Sequence, residues 1–161
     1  MTRERTEAPR FVVDAMLGRL ARWLRVLGYD TIYDTSLHDE ALVELANHEE
    51  RVLLTRDRHL LRERRPRRAV EITSDVPLEQ LAAVVDHIGL PTPDELFRRC
   101  LVCNTPLDDV APADAIALLP PAARVLPGPV RRCPQCGRAY WPGSHVRRMI
   151  RSLARVFPAF E

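Results

Sequence analysis

Through the first 99 residues, short apolar runs alternate with stretches whose apolar residues recur at helical spacing. Such alternation is the pattern of strands joined by crossover helices, so a parallel α/β sheet is expected. Four strands follow: "RFVVD" (10–14), "TIYD" (31–34), "VLLT" (52–55) and "AVEIT" (69–73). Between the first two, "GRLARWLRVLG" places Leu20, Trp23, Leu24 and Leu27 on one helical face and ends at Gly28. Asp39 is expected to cap "DEALVELANHEE", whose apolar stripe is Leu42, Leu45 and Ala46. A short helix should begin near Asp57, and "PLEQLAAVVDHIG" (77–89) reads as a helix with Pro77 at its start and Gly89 at its end.

Beyond "LPTPDELFRR" the texture changes to cysteine pairs, prolines and a long "APADAIALLPPAARVLPGP" without clean periodicity. The expected division is therefore 1–97 for the α/β domain and 98–161 for a smaller second unit. That unit ends in "PGSHVRRMIRSLARVF", read as a helix with Ser144 as N-cap and Val146, Ile150, Leu153 and Val156/Phe157 along one face. Charge follows the same division. Residues 1–99 hold 16 Arg against 18 acids, net −2, and residues 100–161 hold 8 Arg against 4 acids, net +4. From Arg124 to Arg155 there are 8 Arg and no acid, a run suited to phosphates, although a solvated basic face would look the same. At 46% hydrophobic and 29% charged the chain is globular in composition, and no window approaches the ~20 apolar residues of a membrane span. "MTRERTEAPR" lacks the apolar core of a secretory signal, so a cytoplasmic location and no membrane partner are expected.

All four cysteines fall in two Cys-x-x-Cys pairs, Cys100/Cys103 and Cys133/Cys136. Each turn can present two thiolates to one tetrahedral ion, and together they supply the four sulfurs of a closed structural zinc site. Disulfides and a redox pair are the competing readings. A reducing compartment disfavours the first, and the position of the motif outside the βα pattern disfavours the second. With every position filled by sulfur, that zinc holds structure and performs no catalysis.

The acids of the α/β part stand at corresponding places. Asp14 ends the first strand, Asp39 and Glu40 begin the helix after the second, and Asp57 and Asp75 follow the third and fourth. In a parallel sheet these positions share the carboxyl edge, where open α/β folds place their sites. Clustered carboxylates repel unless cations offset them, and hard oxygen donors suit Mg²⁺ or Mn²⁺. Metal-assisted phosphodiester hydrolysis is the chemistry suggested, with Arg19, Arg22, Arg56 and Arg58 meeting substrate phosphates. Each acid also has a purely structural reading: Asp39, Asp57 and Asp75 can cap the elements they precede. Asp14 caps nothing obvious.

Taken in order, "FVVDAMLGRLARWLRVLGYDTIYD", "DEALVELA", "RVLLTRDRHLL", "ITSDVPLEQL", "CLVCNTPL" and "RRCPQCGRAYWPGSHVRRM" resemble the Mut-seven C-terminal RNase domain family, a PIN-like nuclease domain with a C-terminal zinc ribbon. The resemblance implies a PIN-like three-layer α/β/α fold with strand order 3-2-1-4, and an RNase site of acids binding Mg²⁺ or Mn²⁺. Its acids fall on Asp14, on Asp39 or Glu40 with Asp39 favoured, on Asp57 and on Asp75. Its Gly-Ser-His element stands at Gly143, Ser144 and His145, where capping by Ser144 is the simpler role. The leading expectation is a metal-dependent ribonuclease with RNA as partner and the zinc ribbon assisting binding. Two others stand beside it: a non-catalytic RNA-binding or adaptor module, and a toxin-like nuclease held by a protein partner. Tyr140 and Trp141 can stack on bases or pack the ribbon, and His38 and His59 lie near the expected edge.

Overall fold

The computed structural model of the protein describes residues 7–160. Four short strands, β1 (Phe11–Val13), β2 (Thr31–Tyr33), β3 (Val52–Thr55) and β4 (Ala69–Glu71), form one parallel sheet. Helices α1 (Gly18–Val26), α2 (Asp39–His48), α3 (Arg58–Arg64) and α4 (Pro77–Ile88) connect and cover it. The sheet is buried on both faces, as parallel sheets are. Phe11, Val13, Val52, Leu54 and Val70 meet α1 and α4 on one side, while Val12 and Leu53 meet Leu42, Val43 and Ala46 of α2 and Leu60 of α3 on the other. The result is the expected three-layer α/β/α arrangement, with β3 matching its run and the other strands one to two residues shorter than theirs.

The strand order is β2-β1-β3-β4, which corrects the 3-2-1-4 order implied by the resemblance. The physical reason lies in the side chains. "VLLT" is buried at all four positions and must be an interior strand, whereas Ile32 and Tyr33 of β2 are only half-buried and suit an edge. From β1 the chain moves outward through α1 to β2, then returns across β1 on the opposite face through α2 to β3. Right-handed crossovers demand that change of face. The direction of winding therefore reverses between β1 and β3, and a crevice opens at their carboxyl ends.

After α4 come β5 (Asp108–Asp109), α5 (Pro112–Leu118), β6 (Arg131–Arg132), β7 (Ala139–Tyr140) and α6 (Ser144–Leu153), with β5, β6 and β7 in a small antiparallel sheet. The Pro- and Ala-rich stretch that showed no periodicity contains α5 and a 3-10 turn at Pro121–Ala123. Met149 and Leu153 of α6, with Phe157 beyond it, join the same core as α1 and α4. The first cysteine turn is tied to α1 and β2 by Arg25, whose buried guanidinium donates to the carbonyls of Thr31, Leu101 and Val102.

Candidate functional site

Asp14 and Asp57 meet through Thr55. The Thr55 hydroxyl, fully buried at the end of β3, donates to Asp14 Oδ2 at 2.7 Å and accepts the Asp57 N–H at 3.0 Å. Asp14 Oδ1 accepts the N–H of Ala15 at 2.7 Å, and the Asp14 N–H donates to the carbonyl of Leu54, fixing Asp14 against β3. Asp57 Oδ1 takes the N–H groups of His59 and Leu60 and caps α3, while no protein partner among the described residues takes its Oδ2. Both carboxylates are half-buried, Asp14 directly after β1 and Asp57 two residues after β3.

The remaining acids stand farther out. Asp39 is exposed in the first turn of α2 and is not its cap: the cap is His38, whose Nδ1 accepts the N–H of Ala41 at 3.4 Å. Glu40 leans toward Arg64 at 3.9 Å in the last turn of α3. Asp75 is largely exposed and pairs with Arg56, and Arg58 pairs with Glu71 at 2.6 Å. Among the described residues these acids do not close into a group of three or more ligand atoms around one point. Arg19 and Arg22 are exposed on α1, and the Arg22 guanidinium lies 3.5 Å from His145 Nε2 on α6. Ser144 is the first residue of α6, whose N-cap is Gly143 with no side-chain hydrogen bond, so the expected capping by Ser144 does not occur.

Sequence reasoning missed two residues. In the sequence Thr55 only ends a strand, and its contacts to Asp14 and Asp57 require β1 and β3 to be neighbours. Asp34 follows β2 as Asp14 follows β1, and the pairing of Val13 with Tyr33 puts the two at matching register. The signal was in "TIYD", the twin of "FVVD". Hydrogen bonds from the Ser36 hydroxyl and N–H hold the Asp34 carboxyl below its ordinary range.

The cysteines converge as their spacing predicted: the four Sγ atoms lie within 4.8 Å of one another. Cys100 Sγ and Cys136 Sγ are 3.7 Å apart, close to the ~3.8 Å edge of a tetrahedron with Zn–S bonds of ~2.3 Å. Both turns are built alike. The N–H of Cys103 points at Cys100 Sγ and that of Cys136 at Cys133 Sγ, and each turn closes on a residue with positive φ, Asn104 (65°) and Gly137 (76°). Asn and Gly are the residues that accept this conformation. Burial pushes the Cys100 thiol up, but hydrogen bonding by the Tyr140 hydroxyl and the N–H groups of Cys103 and Val102 outweighs it and brings the thiol down to about 6. Cys103 is pushed up to about 12 by its hydrogen bond to Cys136 and by desolvation. One thiolate thus forms readily and opposes the next, a conflict that a soft divalent cation such as zinc removes.

Compared with known families, residues 9–153 match the model of the family described as Mut7-C RNAse domain. The chain belongs to this family. No curated protein and no solved structure matches it. The family's description denotes an RNase. At the carboxyl edge of the sheet stand Asp14 and Asp57. The donor set fits a hard divalent cation: both groups are carboxylates with free lone pairs, and Mg²⁺ is commonly held by one or two carboxylates and several waters. Among the described residues no helix is long and apolar enough to cross a membrane.

Proposed function

We propose that this Mut7-C domain is a ribonuclease dependent on Mg²⁺ or Mn²⁺, with Asp14 and Asp57 as principal metal ligands. Asp39 and Asp75 act on the rim, with Glu40 as the alternative to Asp39. The observation that carries this reading is the Asp14–Thr55–Asp57 connection at the switch point of a chain matched to an RNase family. When bound, the cation offsets the charge of the scissile phosphate and acidifies a water for attack on phosphorus. The chain's own residues do the rest. Thr55 fixes the spacing of the two carboxylates, and the backbone N–H groups of Ala15, His59 and Leu60 hold them in orientation. Arg19 and Arg22 bind phosphate along α1, and Arg56 and Arg58 turn from their acidic partners to the substrate. Zinc at Cys100, Cys103, Cys133 and Cys136 holds the ribbon, and α6 presents Arg147, Arg148, Arg151 and the nearby Arg155 to the RNA.

The test is cleavage of RNA with added Mg²⁺ or Mn²⁺, by the wild-type chain and by Asp14→Asn and Asp57→Asn. Loss in both variants with unchanged melting is expected, and full activity in both would overturn the assignment. Three observations favour a second reading, a non-catalytic RNA-binding module: Asp57 caps α3, Asp75 is ion-paired, and among the described residues the acids do not close around a point. That reading expects salt-sensitive RNA binding without turnover in any metal.

A further inference from the structure

A cleft of about 310 Å³ lies between α1, the first cysteine turn, β7 and the start of α6. Its walls carry Arg22, Arg138 and His145, the indole of Trp141, and Val146, and no carboxylate lines it. Neither the cysteine site nor the acidic edge accounts for this combination. Its volume is at the small end of ligand pockets, which run from about 300 to 1,000 Å³.

The full charges of the cleft, on Arg22 and Arg138, are both positive. Arg22 and His145 converge from two helices, and Arg138 stands exposed on the strand side. The first N–H groups of α6 lack a capping side chain, and they too favour negative charge. The rest of the lining is largely apolar, with Phe97, Leu101, Trp141 and Val146. The Trp141 indole is half-buried, and a Cβ on Gly143 would come 3.0 Å from its Nε1, so glycine leaves room for the Nε1 edge of the ring beside the turn into α6. Arginines and helix N–H groups in one cleft with aromatic and aliphatic side chains match a phosphate joined to a planar base. Tyr140 is not part of that recognition, because its hydroxyl accepts the Leu101 N–H at 2.9 Å and lies 3.2 Å from Cys100 Sγ.

We infer that this cleft holds one nucleotide unit of the RNA, its phosphate at Arg22, Arg138 and His145 and its base on Trp141. The inference rests on RNA being the ligand and adds where a single nucleotide is gripped. Arg19 and Arg22, three residues apart and so about 4.5 Å along α1, lead from this cleft toward the first turn of the helix and Asp14. A nucleotide seated here sets which phosphodiester of the strand reaches the acidic edge.

The experiment measures binding of a 3′-labelled RNA tetranucleotide, with and without a 5′-phosphate, to the Asp14→Asn chain by fluorescence anisotropy. Trp141→Ala, Arg138→Glu and His145→Glu on that background are each expected to raise Kd about tenfold or more, the range of lost base stacking. Arg138 and His145 are exposed, so their variants keep the test intact should Trp141→Ala disturb the ribbon. Tighter binding of the 5′-phosphorylated form assigns the cleft to the chain end, and equal binding assigns it to an internal nucleotide. Kd values within about twofold of the parent in the folded variants would overturn the inference. Cleavage by the wild-type chain is measured in parallel. Cleft-dependent binding without cleavage counts against the ribonuclease reading alone, and cleavage with cleft-independent binding counts against the nucleotide subsite alone.

Discussion

Cys100, Cys103, Cys133 and Cys136 reach one another through two tight turns, whereas Asp14 and Asp57 reach the same threonine only because β1 and β3 are neighbours. In the first site each pair is set by a Cys-x-x-Cys stretch of local backbone, and the two pairs meet beside the small antiparallel sheet β5-β6-β7. In the second, 43 residues and two crossovers separate the partners. The cysteines have no other duty, while Asp57 also caps a helix and Asp75 also holds an arginine. A site written in local spacing is complete once its turns form. A site written in topology borrows side chains that the fold already uses.

The largest effect should come from the local site. Removing its metal with a strong chelator, or replacing Cys133 with Ser, is expected to unfold the ribbon, since zinc binding contributes about 10–16 kcal/mol in small zinc modules. Loss of bound zinc by elemental analysis together with collapse of the ribbon's NMR signals checks it. At the acidic edge, Asp14→Asn is expected to lower the cleavage rate by at least about 100-fold, roughly 2.7 kcal/mol in the barrier, with melting preserved. Between the two regions stands Arg25. Arg25→Ala strands the carbonyls of Thr31, Leu101 and Val102 and should cost about 2 kcal/mol in urea unfolding. Thr55→Val removes the hydroxyl that spaces the two acids, and about tenfold weaker Mn²⁺ activation is expected without loss of fold. A stability change with unaltered metal dependence would make Thr55 a core residue only.

The smallest effect is a pH dependence at the opposite end of the sheet. Burial pushes the Asp30 carboxyl up, but hydrogen bonds from Arg51 and Asn104 outweigh it and leave it below its ordinary range. A depressed carboxylate contributes stability that is present above its unfolded value near ~3.9 and is lost as pH falls through the lower folded value. Asp30→Asn should therefore flatten the acid limb of the stability curve below about pH 4 and leave its slope near neutrality unchanged.

What could be read beforehand follows the same contrast. The four apolar runs, the helix stripes and the cysteine turns depend on neighbours in the chain, and each was visible. Strand order was not, because it depends on which run is buried on both edges, and "VLLT" outcompetes "TIYD" only by the half-exposure of Ile32 and Tyr33. His38 was passed over as a cap because Asp39 stands beside it with a better capping side chain. The helix Pro112–Leu118 was hidden by its brevity and by the prolines around it. Thr55 carried no signal at all, since a threonine ending a buried strand is ordinary until its neighbour strand is known.

Asn104 closes the first cysteine turn, and its side chain reaches away from the sulfurs to accept the Thr31 N–H at 2.9 Å and donate to Asp30 at 2.8 Å. β2 is an outer strand, and an outward amide there is an invitation to pair with another chain. The first cysteine turn therefore also covers the start of the sheet's outer strand, where Asn104 occupies an amide that would otherwise stand open to pairing with another chain.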